Sequence, residues 1–300
     1  MTICTVIFMA AMIFLPLQAN AQGEVGIGPG TPDPSAILDA SSTTRGFLPP
    51  RMTQIERDDI AKPAEGLMIY NTTVRCIQWW NGIVWHDGCG NNEYYPSGTV
   101  FCVVNPTAIV DVTNPITGKT WMDRNLGARQ VATSSTDVDA YGDLYQWGRG
   151  ADGHQCRNSA TTTTLSSTDQ PGHGNFILAS NSPHDWRSTQ NGMLWQGVNE
   201  VNNPCPAGYR PPTDAELDSE RTSWGSNNNA AGAFASPLKL PVAGFRDSNN
   251  GSLSLVGSLG VYWSSTVNGA NSRYLGFSSG TANVNTDSRA VGLSVRCLKD

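Results

Sequence analysis

Charge is scarce in this chain of 300 residues: only 15% are Asp, Glu, Lys or Arg, and the formal net charge is −6. Neither sign accumulates enough to expect a nucleic-acid or anionic-membrane partner. The spacings of common metal and redox sites are also missing. There is no C-x-x-C, which removes a zinc knuckle or a thioredoxin-type pair, and no H-x-x-x-H. His86, His154, His173 and His184 are scattered, although the last three share one long loop segment, which leaves an incidental metal site open. No metal and no cofactor is expected. Long hydrophobic runs are confined to Ile3–Leu17, too short for a comfortable membrane span. No Lys or Arg precedes that run, but Ala19-Asn20-Ala21 follows it as an A-x-A cleavage site. Residues 1–21 therefore read as a signal peptide, with the mature chain starting at Gln22 and placed outside the cell or on its outer surface, with no membrane insertion after cleavage.

What is abundant is Gly (31 residues), with Asn, Ser and Thr, beside 39% hydrophobic residues. That balance fits a loop-rich extracellular β or α+β protein. After cleavage six cysteines remain, an even number that argues for disulfides in an exported chain.

Gln22–Pro34 reads as an extended leader, and Gln54–Ala61 as one or two helical turns. Gly66–Thr72, Cys76–Asn81 and Ile83–Asp87 read as strands, the last two joined by Asn81-Gly82, a strong hairpin signal. Trp79, Trp80 and Trp85 make this hairpin aromatic, for core or oligomer packing or for a ligand platform. Cys76 and Cys89 lie at its two ends, within reach of a cross-strand bridge. Residues 22–90 thus form a small β-rich module, 91–96 a linker, and 97–300 a second domain.

In that domain Val138, Tyr141, Leu144 and Tyr145 stand at helical spacing within Asp137–Trp147. Gly148–Val201 is long and irregular, and Trp186 and Trp195 suggest that it is pinned from within. Thr213 is a helix N-cap with Glu216 at capping-box spacing, and Leu217, Arg221 and Trp224 then share a face. Alternation at Leu238–Val242, Val261–Ser265, Arg273–Phe277 and Val291–Cys297 predicts four strands. A short helix followed by antiparallel strands is an α+β pattern.

WMDRNLGA (Trp121–Ala128), YGDLYQWGRG (Tyr141–Gly150), NPCPAGYRPPTDAEL (Asn203–Leu217), LPVAGFRD (Leu240–Asp247), YWSST (Tyr262–Thr266) and GLSVRCL (Gly292–Leu298) together resemble the Fibrobacter succinogenes major paralogous domain over about 97–300. The resemblance implies a C-type-lectin-like fold of the formylglycine-generating-enzyme variety: two helices around a small twisted antiparallel sheet, with chain ends close together. It also implies a Cys205–Cys297 disulfide, leaving Cys102–Cys156 to pair beside Cys76–Cys89. Val25–His86, from GIG through PDPSAILDASSTTRGFLPPRM to GLMIYNTT and WWNG, resembles an N-terminal module of exported bacterial surface and tail-fibre-like proteins. It implies a homo-oligomer assembled through that module.

Within the lectin resemblance, a calcium-dependent sugar site needs hard oxygen ligands, and Gln170-Pro171-Gly172 with no WND does not supply them. Formylglycine-generating chemistry needs a cysteine pair near the C-terminus, where only Cys297 stands. No catalytic residue is therefore expected. Asp123-Arg124 reads as a semi-buried ion pair, and Asp214 and Glu216 as helix-start acids. The function expected is recognition or adhesion of a cell-surface, glycan or protein ligand, with a formylglycine-generating-like enzyme or a fibre or envelope component as the alternatives. Asn268, Asn271, Arg273, Tyr274, Asn283, Asn285, Asp287 and Arg289 are expected on one exposed face. Their chemistry is that of adaptable recognition loops, and equally that of a plain solvated loop set. The same residue types fit diversification by a retroelement, as in some lectin-fold proteins.

Overall fold

The computed structural model describes residues 25–29, 31–73, 75–82, 85–87, 95–96, 98–103 and 106–300. The signal peptide, the leader up to residue 24, most of the expected linker and Cys89 lie outside the described residues. The chain divides into two units, 1–84 and 85–300.

In the first unit, Thr53 caps a five-residue helix, Gln54–Asp58 (α1), in a capping box with Glu56. Arg51–Met52 pairs in parallel with Met68–Asn71, which pairs antiparallel with Cys76–Trp80. Strand alternation separates two faces. Ile69, Asn71, Cys76 and Gln78 are buried. Beneath them Arg57 of α1 donates to Gln78 Oε1 (2.9 Å), as does Asn71 Nδ2 (3.0 Å). Register places Met68 beside Trp79 and Tyr70 beside Ile77 on the other face.

The second unit is a set of small sheets. One joins Tyr209–Arg210, Leu298–Lys299, Thr120–Met122 and Asp111–Thr113; another joins Leu253–Ser254, Phe245–Arg246, Gly292–Leu293 and Tyr145–Gln146. The third is a meander of Gly260–Asn268, Asn271–Phe277 and Ala282–Ser288. Helices are few: Asp214–Thr222 (α2, nine residues) and Ala230–Ala235 (α3, six residues). The expected α+β lectin-like fold with two helices around one sheet is therefore wrong. The chain is β-rich, its strands are split among several small sheets, and the described residues hold three short helices.

The cause is local. The helical spacing at 138–145 yields only a 3₁₀ turn, Val138–Ala140, because Gly142 has φ 67° and turns the chain out of the helix. Leu238–Val242 is largely buried without forming a strand, and 291–297 forms a strand only at Gly292–Leu293, with one isolated parallel bridge from Ser294 to Tyr262. Side chains then do for irregular backbone what a ladder would do. The indole N–H groups of Trp147, Trp186, Trp195 and Trp263 donate to the carbonyls of Ser264, Trp147, Asn202 and Tyr145. Buried Arg246 donates to the carbonyls of Cys156, Ser159 and Gly251, and Arg296 to those of Met122 and Leu238. Burial pulls the Arg296 guanidinium down to about 10.

Gly260–Asn268 separates two cores. Val261 and Trp263 enter a cluster with Trp147, Trp186, Trp195 and Val295, while Tyr262 enters one with Leu217, Trp224, Leu275 and Phe277. The Cys205–Cys297 disulfide sits in the first cluster, as the resemblance implied, and Cys102–Cys156 is also formed. Cys76 is disulfide-bonded, while the expected partner Cys89 lies outside the described residues.

Candidate functional site

The meander positions most of the residues expected to contact a ligand. Its α2 side is filled by Leu275, Phe277 and Ala282 against Leu217 and Trp224. On the other side Trp263 lies beside Tyr274, which lies beside Asn285; Gly276 lies beside Asn283, and Ser272 beside Asp287. Tyr274 packs edge-on against Trp263, with ring centroids 6.2 Å apart, so its ring is held from below. Gly276 provides the space for that ring: a Cβ there would lie 2.9 Å from Tyr274 Cε2. Burial pushes the Tyr274 phenol up, and the Asp287 carboxylate adds to it. Burial likewise raises Asp287 despite the Ser288 backbone N–H donating to it. Asn283 and Asn285 are exposed.

The eight expected residues do not form one face. Tyr274, Asn283, Asn285 and Asp287 come together. Asn268 is exposed at the hairpin tip, where it pairs with half-buried Asn271 across Gly269 (φ 60°). Arg273 has the parity of Leu275 and points to the helix side, where its Nε meets Asp214 Oδ2 at 3.0 Å in a groove shared with Asp218 and Arg221. Arg289 is only 3% exposed: its guanidinium stacks over Trp147 at 4.7 Å and donates to Gly269 O. It supports the hairpin from inside.

The other sequence-level candidates hold structure together. Thr213 and Glu216 form the capping box, and Arg210 grips Glu216 with two bonds of 2.9 Å. Burial raises the Glu216 carboxyl, but Arg210 and the Thr213 N–H overcome it and hold it at about 2. Asp123 and Arg124 form a close ion pair at 2.6 Å. His154 is buried and is pulled down to about 4, first by burial and then by Arg149. Its Nε2 accepts from the Gln146 N–H, so Nδ1 carries the proton and donates to Asp152. Among the described residues no three His, Cys, Asp or Glu side chains could share a metal ion. Gln170, Pro171, Gly172 and His173 line a cleft of about 460 Å³ with Asp152, Asp169 and Asn202. Sequence reasoning misses one motif, the G-x-S-x-G spacing at Gly276–Gly280. Ser278 lies in the turn between two meander strands, receiving the Gly280 N–H at 3.4 Å, not on a strand-to-helix elbow.

The first unit offers a surface of another kind. Its unburied sheet face carries Met68 (47% exposed) and Ile77 (42%), and Phe47 (71%) and Leu48 (73%) also stand open. Apolar exposure of this extent in a small unit marks an interface. The unit has the features of a β-rich assembly module. The phage tail like trimerisation region is the family whose model matches, over residues 26–100. The match supports a structural, fibre-like or surface module there and homo-oligomerisation through it, in agreement with the tail-fibre-like resemblance. Neither a curated protein nor a solved structure matches the chain. Among the described residues, no helix is long and apolar enough to cross a membrane.

Proposed function

We propose that this chain is a trimeric surface or fibre-type binding protein, secreted or held at the outer cell surface. Three N-terminal modules associate through Met68, Ile77, Phe47 and Leu48, and each copy presents its own meander face to a glycan or protein ligand. The observation that carries the binding part is the cross-strand group Tyr274, Asn283, Asn285 and Asp287: an aromatic anchor among amides and a carboxylate, on a sheet buttressed by Trp263. Rigid support with adaptable polar tips is the arrangement that binding surfaces use, and three linked copies would raise a weak single-site affinity through avidity. The disulfides support an oxidising location. Cys297 is bonded to Cys205 and so is not a free thiol for formylglycine-generating chemistry, which favours the binding reading over the enzyme.

The test is a glycan array and a surface-protein pull-down with the wild-type chain, repeated with Tyr274→Ala/Asn283→Ala/Asn285→Ala. The triple variant stays folded and loses the captured ligand: the exposed Asn283 and Asn285 changes cost roughly 0.5 kcal/mol each, and Tyr274→Ala, which removes a half-buried ring packed on Trp263, costs about 2 kcal/mol. Full capture by the folded triple variant sinks the assignment of this face.

A further inference from the structure

A concavity of about 260 Å³ away from the meander is lined by Cys102, Gly127, Arg129, Asp139, Asp143 and Arg157, among others. Asp143 is 6% exposed, yet among the described residues no hydrogen bond or ion pair reaches its carboxylate; Arg157 acts on it only through its field. Two glycines create this arrangement. A Cβ on Gly127 (φ 80°) would lie 2.2 Å from Asp143 Cγ, and one on Gly142 (φ 67°) would lie 2.2 Å from Leu126 O. The two turns nest, and Asp143 N donates to Leu126 O at 2.8 Å. Any other residue at 127 would displace the carboxyl.

Arg157 forms part of the same wall. Its Nε donates to Gly142 O (2.6 Å) and its Nη2 to Ala243 O (3.0 Å), and the group stacks on Tyr141 at 5.5 Å. Nη1 has no acceptor among the described residues. Arg129 and Asp139 pair with each other at 3.2 Å beside it, in the open. The phenols of Tyr95 and Tyr145 also feel the Asp143 charge. A buried carboxyl without donors is costly, and a ligand that brings donors relieves the cost. An ammonium brings three and a compensating charge, while the spare guanidinium edge suits a carboxylate.

We propose that this pocket binds a small zwitterion of the α-amino acid class, its ammonium on Asp143 and its carboxylate on Arg157. Burial pushes the Asp143 carboxyl up to about 7, so binding near neutrality expels a proton. Titration calorimetry of the full mature chain with glycine, L-alanine and L-serine tests this, in two buffers of different ionisation enthalpy. Saturable heat is expected, with proton release, and binding weakens as the pH falls from 7.5 to 5.5. Propionate and ethylamine, each lacking one half of the zwitterion, bind at least about tenfold more weakly. Asp143→Asn abolishes the heat with an unchanged near-ultraviolet spectrum, and Arg157→Lys weakens it. If Asp143→Asn does not fold, the carbon NMR signal of the Asp143 carboxyl decides, since alanine must shift it in the wild-type chain. No saturable heat at tens of millimolar with any of the three amino acids, undiminished binding by folded Asp143→Asn, an unmoved carboxyl signal, or ethylamine binding as tightly as alanine overturns the proposal.

Discussion

Two carboxylates with opposite shifts make this protein's response to acid readable residue by residue. Glu216 is held at about 2 by Arg210 and the helix cap, below its ordinary 4.5. A lowered folded value means that its stabilisation is complete above pH 4.5 and disappears as the pH falls toward 2. Glu216→Gln is therefore expected to cost about 2 kcal/mol at pH 7 and almost nothing at pH 2, measured by chemical denaturation at both. Asp143 runs the other way, raised from 3.8 to about 7 by burial. The folded state holds its proton where the unfolded chain has released it, so stability declines from pH 4 to pH 7 and then levels off. Asp143→Asn should raise the melting temperature at pH 8, by the equivalent of up to ~4 kcal/mol, and lose that advantage at pH 4. A lower melting temperature for the variant at pH 8 would show that the carboxylate has a partner the geometry does not reveal.

At the scale of elements, the 92-residue separation of Cys205 and Cys297 sets the largest single expectation. Loop-closure entropy gives about 4–5 kcal/mol for such a bridge, so Cys205→Ala/Cys297→Ala should lower the unfolding free energy by most of that amount. The same elements show what the sequence could reveal. α2 was legible because a capping box is a local signal, and 261–265 and 273–277, each part of a longer meander strand, because their alternation is local too. The capping box of α1 is just as local, but the reading of Gln54–Ala61 finds only the helical turns and not the Thr53–Glu56 box that starts them. The stretch 138–145 was misread because spacing reports which residues are buried, not how the chain gets there; Gly142 decides that. Leu238–Val242 alternates, but Leu238 O meets the Arg296 side chain and Pro241 O the Tyr262 hydroxyl in place of a neighbouring strand. Of the proposed recognition face, cross-strand neighbours such as Tyr274 and Asn285 follow from parity once the strands are known. The burial of Arg289 under the hairpin depends on Trp147, 142 residues away in sequence, and no local pattern encodes such a contact.

For the whole molecule, the surfaces proposed for assembly and for recognition lie on different units, so they should be separable by mutation. Met68→Asp/Ile77→Asp places two charges on the apolar sheet face. Light scattering should then report the mass of one chain, with the near-ultraviolet signal of the tryptophan-rich second unit retained. A persistent trimer would move the interface elsewhere in residues 26–100. The sheet that holds Leu298–Lys299 between Tyr209–Arg210 and Thr120–Met122 has a consequence in time. The strand in its middle is synthesised after both of its neighbours, so this sheet cannot close until residues 298–299 have been made. Closure of this sheet joins segments far apart in sequence and is therefore a late step in folding.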